Sequence, residues 1–146
     1  MRKVLLVSSY GGHYNELKQL KIKNSKICYA VESKDINTNV DYTLKYGNRK
    51  QFNYPIIFFK NALLAFKIIS KERPNIIIST GAHTCVPFFY LAKLYKIKTI
   101  YIESYAKVTS PSLTYKLIKP VTDRLIIQHE EMGNIYDKSI FLGSVY

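Results

Sequence analysis

Four short apolar runs of this sequence are each followed by polar residues that could bind a ligand or move a proton. The first such segment holds Gly11, Gly12 and His13, with Glu16 one turn further on. An imidazole has a pKa of about 6.5 and is partly unprotonated at neutral pH, so His13 is a candidate general base toward a hydroxyl group. The alternatives are a hydrogen bond from His13 to the backbone and a local helix-capping contact for Glu16.

The three later segments supply further candidates for a binding site. Glu103 ends an otherwise apolar run, and such a carboxylate either accepts hydrogen bonds from neighbouring loop amides or binds the hydroxyl groups of a sugar. His83 and His129 are, on residue type alone, ordinary loop histidines. The candidates in these segments are Thr80, Gly81, His83 and Thr84, then Glu103, Ser104 and Lys107, and finally Gln128 and His129.

Glycines stand between an apolar run and a helical segment at Gly11, Gly12 and Gly81. They either let the backbone approach an anion or a polar oxygen, or simply close a turn from strand to helix. Neither loop has the GxGxxG spacing of dinucleotide-binding proteins, and the chain has no GxxxxGK[ST] motif. The sequence therefore argues against both of those nucleotide sites.

Seven short runs rich in apolar and β-branched residues alternate with segments of helical periodicity. Pro87 fits the first turn of a helix, where a missing N–H is tolerated, and Pro120 ends the last helix. The predicted strands are residues 4–7, 27–31, 42–46, 76–79, 99–102, 125–127 and 140–142, and the predicted helices are residues 14–20, 57–71 and 84–95 and one that begins within 110–112.

This alternation predicts an α/β fold, a Rossmann-like and largely parallel sheet with helices on both faces. The carboxyl ends of parallel strands share one edge of the sheet, where ligands bind. We therefore expect the candidates above, the three histidines included, at that edge, with His13 and Glu103 in one cleft. The polar residues 34–51 hold a hairpin or an irregular loop around strand 42–46.

Composition narrows the class of protein further. The 146 residues have the length of one domain, taken as residues 1–146, and the excess of 22 basic over 10 acidic side chains indicates an anionic partner.

Cys28 and Cys85 belong to no CxxC motif or Cys/His cluster, so no metal or other cofactor is expected. No apolar run approaches the roughly 18 residues of a membrane-spanning helix, and the run after Lys3 is too short for a secretory leader. We expect a cytoplasmic protein.

Two helical segments, residues 58–69 and 113–119, combine apolar side chains with lysines. A basic residue beside an anionic membrane contributes about 1 kcal/mol, so reversible membrane binding is one interpretation and a core-facing helix with a solvated basic face is the other. The lysines concerned are Lys60, Lys67, Lys116 and Lys119.

Two other classes of function remain in competition at this point. A basic nucleic-acid-binding module would contact phosphates with Lys and Arg and stack Tyr on bases, but the tyrosines here fall largely within apolar runs. A complete small enzyme acting alone would need its own nucleotide or cofactor motif, and none is present.

Several blocks in order resemble one known family, from residue 3 to about residue 143. They are residues 8–13 and 79–87, Glu103 with Ser104, residues 107–108 and 112–114, residues 123–124 and Gln128. These blocks resemble the accessory subunit of the two-subunit N-acetylglucosaminyltransferase of N-glycan assembly. The chain is most similar to the bacterial relatives of that subunit in capsule and exopolysaccharide synthesis.

The resemblance implies the N-terminal, acceptor-binding half of a GT-B glycosyltransferase, inactive without a separate subunit that binds the UDP-sugar donor. The acceptor would be a lipid-diphosphate-linked sugar, and the protein would sit peripherally on the anionic inner face of the cell membrane, with no role for nucleic acid. Residues 141–146 and the carboxyl-edge loops would meet the partner. By this resemblance His13 and Glu103 are catalytic, and Gly11, Gly12, Glu16, Thr80, Gly81, His83, Thr84, Ser104, Lys107 and Gln128 bind substrate.

This sequence departs from the family at one of these positions. The family usually has arginine where this chain has Lys107, and lysine keeps the charge but loses bidentate recognition of a phosphate or carboxylate.

Overall fold

The computed structural model describes residues 1–35 and 39–146, which form a seven-stranded sheet flanked by four α-helices. Three of the connections between these strands and helices contain a short 3-10 turn, at His83–Cys85, Lys119–Val121 and Glu130–Asn134. In chain order the elements are β1 (Arg2–Ser9), α1 (Gly12–Gln19), β2 (Ser25–Ser33), β3 (Tyr42–Lys45), α2 (Tyr54–Glu72), β4 (Ile76–Ser79), α3 (Val86–Leu94), β5 (Lys98–Ile102), α4 (Leu113–Ile118), β6 (Arg124–Ile127) and β7 (Ser139–Phe141).

All strand pairs of the sheet are parallel, in the order β3-β2-β1-β4-β5-β6-β7. The chain builds outward from β1 in one direction through β2 and β3, then returns to the other side of β1 with β4. Such a reversal leaves a crevice at the carboxyl ends of the two central strands. The loops after β1 and β4, which hold Gly11, Gly12 and Gly81, flank this crevice.

The sheet is buried on both faces, and β1 shows why its sequence is a continuous apolar run. Leu5 and Val7 face the larger core cluster, which α2, α3 and α4 cover, whereas Val4 and Leu6 face a smaller cluster to which α1 contributes Leu17. The predicted α/β class and the helices on both faces are confirmed.

The predicted elements are present with shifted ends. Helix α2 begins at Tyr54 rather than at residue 57, since Pro55 occupies its first turn. Residues 83–85 form a 3-10 turn ahead of α3, and Pro120 lies in a second 3-10 turn after α4. Of the two alternatives for residues 34–51, a hairpin or an irregular loop, the hairpin does not form in the described residues, because β3 pairs in parallel with β2. Residues 36–38 of that segment lie outside the described part of the chain.

Helix α2 turns a different side to the core than its large apolar residues suggest. Phe59, Leu63 and Phe66 are 63%, 49% and 48% exposed, while the buried side carries Ala65 and Ile68. The periodicity is helical, but large apolar residues occur on both sides of the helix. Within residues 1–35 and 39–146, no helix has both the length and the apolar character needed to cross a bilayer.

The buried side of α2 also carries Asn61, which stabilises the edge strand β3. Its Oδ1 accepts a hydrogen bond from the backbone N–H of Lys45 at 2.9 Å, and its Nδ2 donates to the Lys45 carbonyl oxygen at 2.7 Å. The side chain therefore satisfies both backbone groups of one residue on the open edge of the sheet.

We predict that Asn61→Leu lowers the free energy of unfolding by about 2–3 kcal/mol, because two hydrogen bonds are lost and the backbone groups of Lys45 lose their partner. Urea denaturation followed by circular dichroism measures the change. Ser70→Ala, on the exposed side of the same helix, is the control and should shift stability by no more than about 0.5 kcal/mol. Equal stabilities for the two variants would show that Asn61 does not hold the edge strand.

Candidate functional site

A cleft of about 1170 Å³ opens at the carboxyl ends of the strands, beside the reversal of strand order. The loops that follow β1, β2, β3, β4 and β5 all contribute to its walls. Of the residues predicted from the sequence, seven line the cleft: Gly12, His13, Glu16, His83, Glu103, Ser104 and Lys107.

His13 and Glu16 lie in the first half of α1 and form a pair at the cleft wall. The turn into this helix needs Gly11, whose φ of 101° lies in the region that favours glycine. The His13 Nδ1 lies 3.7 Å from the Glu16 Oε2, and neither atom has a hydrogen-bond partner among the described residues. The histidine is about one-third exposed and Glu16 is buried. The imidazole therefore faces the cleft, and the carboxylate lies behind it.

The other oxygen of Glu16 joins α1 to the loop after β5. Its Oε1 accepts hydrogen bonds from the backbone N–H of Tyr105 at 2.8 Å, the Ser104 hydroxyl at 3.3 Å and the Gln128 amide at 3.4 Å. No side chain caps α1, so the capping interpretation of Glu16 is wrong. Glu16 therefore links α1, which carries His13, to the loop after β5 and to Gln128.

The loop after β4 holds His13 from the opposite side. The Thr80 hydroxyl donates to the His13 carbonyl oxygen at 2.6 Å. Gly81 has φ of 136°, and a Cβ at this position would lie 2.6 Å from the His13 ring. Gly81 is therefore needed both for its backbone conformation and for the close approach of the imidazole. Five predicted residues do not line the cleft: Gly11 is half-buried, and Thr80, Gly81, Thr84 and Gln128 are buried.

Glu103 ends β5 and is 2% exposed. Its Oε2 accepts hydrogen bonds from the Tyr136 hydroxyl and from the backbone N–H of Ser112 at 3.1 Å, and its Oε1 accepts one from the Ser104 N–H at 3.2 Å. Burial and then the hydrogen bond to Glu103 raise the pKa of Tyr136, so this hydroxyl remains a donor at neutral pH. These bonds fit a residue that holds the loop of residues 104–112; the catalytic role of Glu103 stays a prediction.

Of the three histidines expected at this edge, His13 and His83 line the cleft and His129 does not. The His129 ring lies tilted against the Tyr105 ring with centroids 4.5 Å apart, and its Nε2 lies 2.7 Å from the Tyr105 carbonyl oxygen. His129 is thus accounted for by its contacts with a loop.

The end of β2 was not predicted from the sequence to join the site, yet it brings Glu32 into the cleft beside His83. A signal was available, since Glu32 follows the apolar run of residues 27–31 just as Glu103 follows its own run. The cleft carries both signs of charge. Its buried acids are Glu16, Glu32 and Glu103, its exposed bases are Lys34, Arg49, Lys50 and Lys107, and Asp35 is an exposed acid beside Lys34.

No group of three or more His, Cys, Asp or Glu residues within residues 1–35 and 39–146 is arranged to hold a metal ion. Burial raises the pKa of the Cys28 thiol to about 12, and that of Cys85 to about 12 as well. Both thiols are therefore protonated at neutral pH and pack as apolar side chains.

Comparison with known sequences gives a family match over residues 48–145, to the family described as "Oligosaccharide biosynthesis protein Alg14 like". A relative from Candida albicans, named UDP-N-acetylglucosamine transferase subunit ALG14, is 28% identical over 91% of this chain and 73% of its own length. The human protein of the same name is 24% identical over 97% of this chain and 82% of its own length.

Comparison of folds finds the same architecture in larger proteins. The crystal structure of MurG from Acinetobacter baumannii superposes with a TM-score of 0.75 at 14% identity, over 99% of this chain and 46% of the other. A UDP-GlcNAc 2-epimerase from Methanocaldococcus jannaschii, in complex with UDP-GlcNAc and UDP, gives a TM-score of 0.74 at 14% identity, over 97% and 46%. At these identities the likeness concerns the fold, and the chain spans just under half the length of either protein.

We predict that Gly81→Ala displaces the His13 ring and lowers the free energy of unfolding by about 1–3 kcal/mol, because the new methyl group overlaps the imidazole and the backbone is strained. Urea denaturation measures the stability, and the imidazole NMR signals of the histidines report the displacement.

Gly133→Ala is the matched control, since a Cβ there meets only Ile127 at an ordinary 3.9 Å. It should leave the His13 signals in place. If the His13 signals of Gly81→Ala also coincide with those of the unaltered chain, the second glycine loop does not position this histidine.

Proposed function

This chain belongs to the Alg14-like family of oligosaccharide biosynthesis proteins, and from that membership we propose that it is the accessory subunit of a two-component glycosyltransferase. In this role it binds a lipid-diphosphate-linked sugar acceptor and docks a separate subunit that holds the UDP-sugar donor. The observation that carries the proposal is the cleft itself, where a histidine and a buried carboxylate meet at the switch point of the sheet.

The extent of the shared fold supports the proposal of a second subunit. The chain corresponds to just under half of MurG and of the 2-epimerase. Transfer of a sugar requires the acceptor hydroxyl, its base and the anomeric carbon of the donor to be held together, and much of the rate enhancement comes from that positioning. Residues 1–146 are accordingly proposed as the acceptor-binding domain of a split GT-B enzyme.

The chemistry of the cleft suits the proposed acceptor. His13 stands at the wall, where an unprotonated imidazole takes the proton of an attacking hydroxyl. Exposed bases at the rim, Lys34, Arg49 and Lys50 on one side and Lys107 on the other, match the charge of a diphosphate. The glutamates of the lining are buried and suit neutral hydroxyl groups, while Asp35 is an exposed acid beside Lys34.

The proposed contact with the donor-binding subunit includes the C-terminal residues. Phe141, Leu142 and Tyr146 are exposed, although Val145 packs against the smaller core cluster and Tyr146 also lines the cleft. Apolar side chains of this kind form the centre of protein interfaces. Their place beside the cleft would bring a donor site next to His13.

An apolar and basic surface on α2, α3 and α4 supports peripheral binding to the anionic inner face of the membrane. The helices are continuous at this surface, since the rings of Phe66 and Tyr95 lie 6.4 Å apart and the Tyr90 hydroxyl donates to the Leu117 carbonyl oxygen. The exposed apolar residues here are Ile56, Phe59, Leu63, Phe66, Tyr90, Leu94, Tyr95, Leu113 and Leu117, and the lysines beside them are Lys60, Lys67 and Lys116.

The product of this transferase is proposed to be a capsular polysaccharide or an exopolysaccharide, on the sequence resemblance to the bacterial relatives of the family. The relatives from Candida albicans and from human are eukaryotic transferase subunits, so the identity of the glycan rests on that resemblance alone.

We predict that the purified chain transfers no sugar from a panel of UDP-sugars to a lipid-diphosphate-linked acceptor, and that transfer begins when the donor-binding subunit is added. In the assembled complex, His13→Ala should lower turnover about 10²–10⁴-fold because the general base is lost.

Lys23→Ala, an exposed change just before β2 at the opposite edge of the sheet, is the control and should retain activity. Robust transfer by the chain alone would overturn the two-subunit assignment. Unchanged turnover in His13→Ala would remove the proposed base.

We predict that the chain floats with vesicles of phosphatidylcholine and phosphatidylglycerol at low salt, and less so at high salt. The double variant Phe59→Ser with Leu63→Ser should bind the vesicles about tenfold more weakly, because each side chain loses apolar contact with the bilayer. Leu142→Ser, a change of an apolar residue that is still more exposed and lies outside this surface, serves as the control. Absence of flotation at low salt would rule out this membrane contact.

A further inference from the structure

Glu32 and His83 form a pair in the cleft that has no role in the proposed proton transfer to His13. Glu32 ends β2 and is 3% exposed, and its Oε2 lies 3.3 Å from the Nε2 of His83. That oxygen has no hydrogen-bond partner of adequate geometry among the described residues. Both side chains line the cleft, and the unpaired oxygen is buried at its wall.

A buried carboxylate oxygen without a hydrogen-bond partner favours a ligand that supplies a hydrogen-bond donor. Burial of a polar atom without a hydrogen bond is unfavourable, and the cost is relieved when a partner arrives. A hydroxyl group or an amide N–H supplies such a donor. A phosphate does not, because it carries only acceptor oxygens and like charge would repel it from Glu32.

The surroundings of the pair favour a sugar as the source of those donors. The Tyr54 ring meets His83 edge-on at 5.2 Å and fixes one side of the imidazole. Tyr10 and Tyr46 line the same cleft and are 58% and 41% exposed. Exposed aromatic faces beside a few convergent polar groups are typical of a site for a neutral ligand with both apolar and hydrogen-bonding surfaces.

The Tyr10 backbone ties this aromatic wall to the pair, because its N–H donates to the Glu32 carbonyl oxygen at 2.8 Å. On the other side, the Nζ of Lys34 lies 4.6 Å from the centre of the Tyr46 ring and keeps a charge near the rim. A neutral sugar in the cleft and an anionic group at its rim would thus be bound by different residues.

We propose that Glu32 and His83, together with Tyr10 and Tyr46, form a saccharide subsite separate from the pair of His13 and Glu16. Glu32 accepts a hydrogen bond from a sugar hydroxyl, the imidazole contacts a neighbouring hydroxyl, and the tyrosines pack against the ring. This subsite rests on the proposed function, and within it these residues select the acceptor by its pattern of hydroxyl groups rather than by its diphosphate.

The three histidines of the chain provide the test, since His83 and His13 report the two parts of the cleft and His129 lies outside it. Imidazole NMR signals of the full chain are followed during titration with glucose, galactose and N-acetylglucosamine, then with N-acetylglucosamine joined through a diphosphate to a short alkyl chain, and with inorganic diphosphate. At least one neutral sugar and the alkyl diphosphate sugar should shift the His83 signals, while inorganic diphosphate should not.

The second measurement uses a variant that removes the charge of Glu32 and keeps the size of its side chain. Glu32→Gln should weaken binding of the alkyl diphosphate sugar about tenfold and leave the affinity for inorganic diphosphate unchanged, since a hydrogen bond to a charged carboxylate is replaced by a weaker one to a neutral amide. Glu131→Gln, an exposed change in the turn after β6, is the matched control and should bind both probes as the unaltered chain does.

The subsite is overturned if His83 responds to inorganic diphosphate and to no sugar, if sugars shift only the His13 signals, or if Glu32→Gln binds the alkyl diphosphate sugar normally. The titration of the unaltered chain does not depend on the folding of any variant. These measurements also need no partner subunit, so the subsite can fail while partner-dependent transfer is observed, and the reverse outcome is equally distinguishable.

Discussion

One buried carboxylate, that of Glu16, holds together the part of the cleft in which His13 stands. Its Oε1 accepts hydrogen bonds from Ser104, Tyr105 and Gln128, which lie 88, 89 and 112 residues away in the sequence. Because these donors converge on one oxygen, the other oxygen remains free beside the imidazole. Loss of this carboxylate would release the start of α1, the loop after β5 and the end of β6 together, so the geometry of the cleft depends on it more than on any residue at the surface.

The place of the site could be predicted from the sequence, whereas the partners of its residues could not. Glycines and histidines after apolar runs indicate the carboxyl edge, because parallel strands end there together. The contact between Gly81 and the His13 ring joins residues 68 positions apart, and only the adjacency of β1 and β4 creates it. For Glu103 the sequence left two alternatives open, loop amides or sugar hydroxyl groups, and its oxygens accept hydrogen bonds from loop amides and from Tyr136.

Helix α2 shows a second kind of limit to prediction from sequence. Its period could be recognised, but apolar residues occur on both of its sides, so periodicity alone did not reveal which side meets the sheet. The two hydrogen bonds between Asn61 and the Lys45 backbone place a polar residue on the buried side. Phe59 and Leu63 are left outside as a consequence. A polar residue within a helical pattern can thus mark the core side when it satisfies an edge strand.

The adjacency of β1 and β4 also has a consequence for how the chain folds during its synthesis. Val4 pairs with Ile76, so the centre of the sheet closes only when the chain has reached a residue 72 positions further on. At about 5–20 residues per second, the apolar first strand waits for several seconds before its second neighbour emerges from the ribosome. Contacts this distant in sequence are slow to form. The nascent first half of the chain therefore exposes a strand that chaperones would be expected to shield.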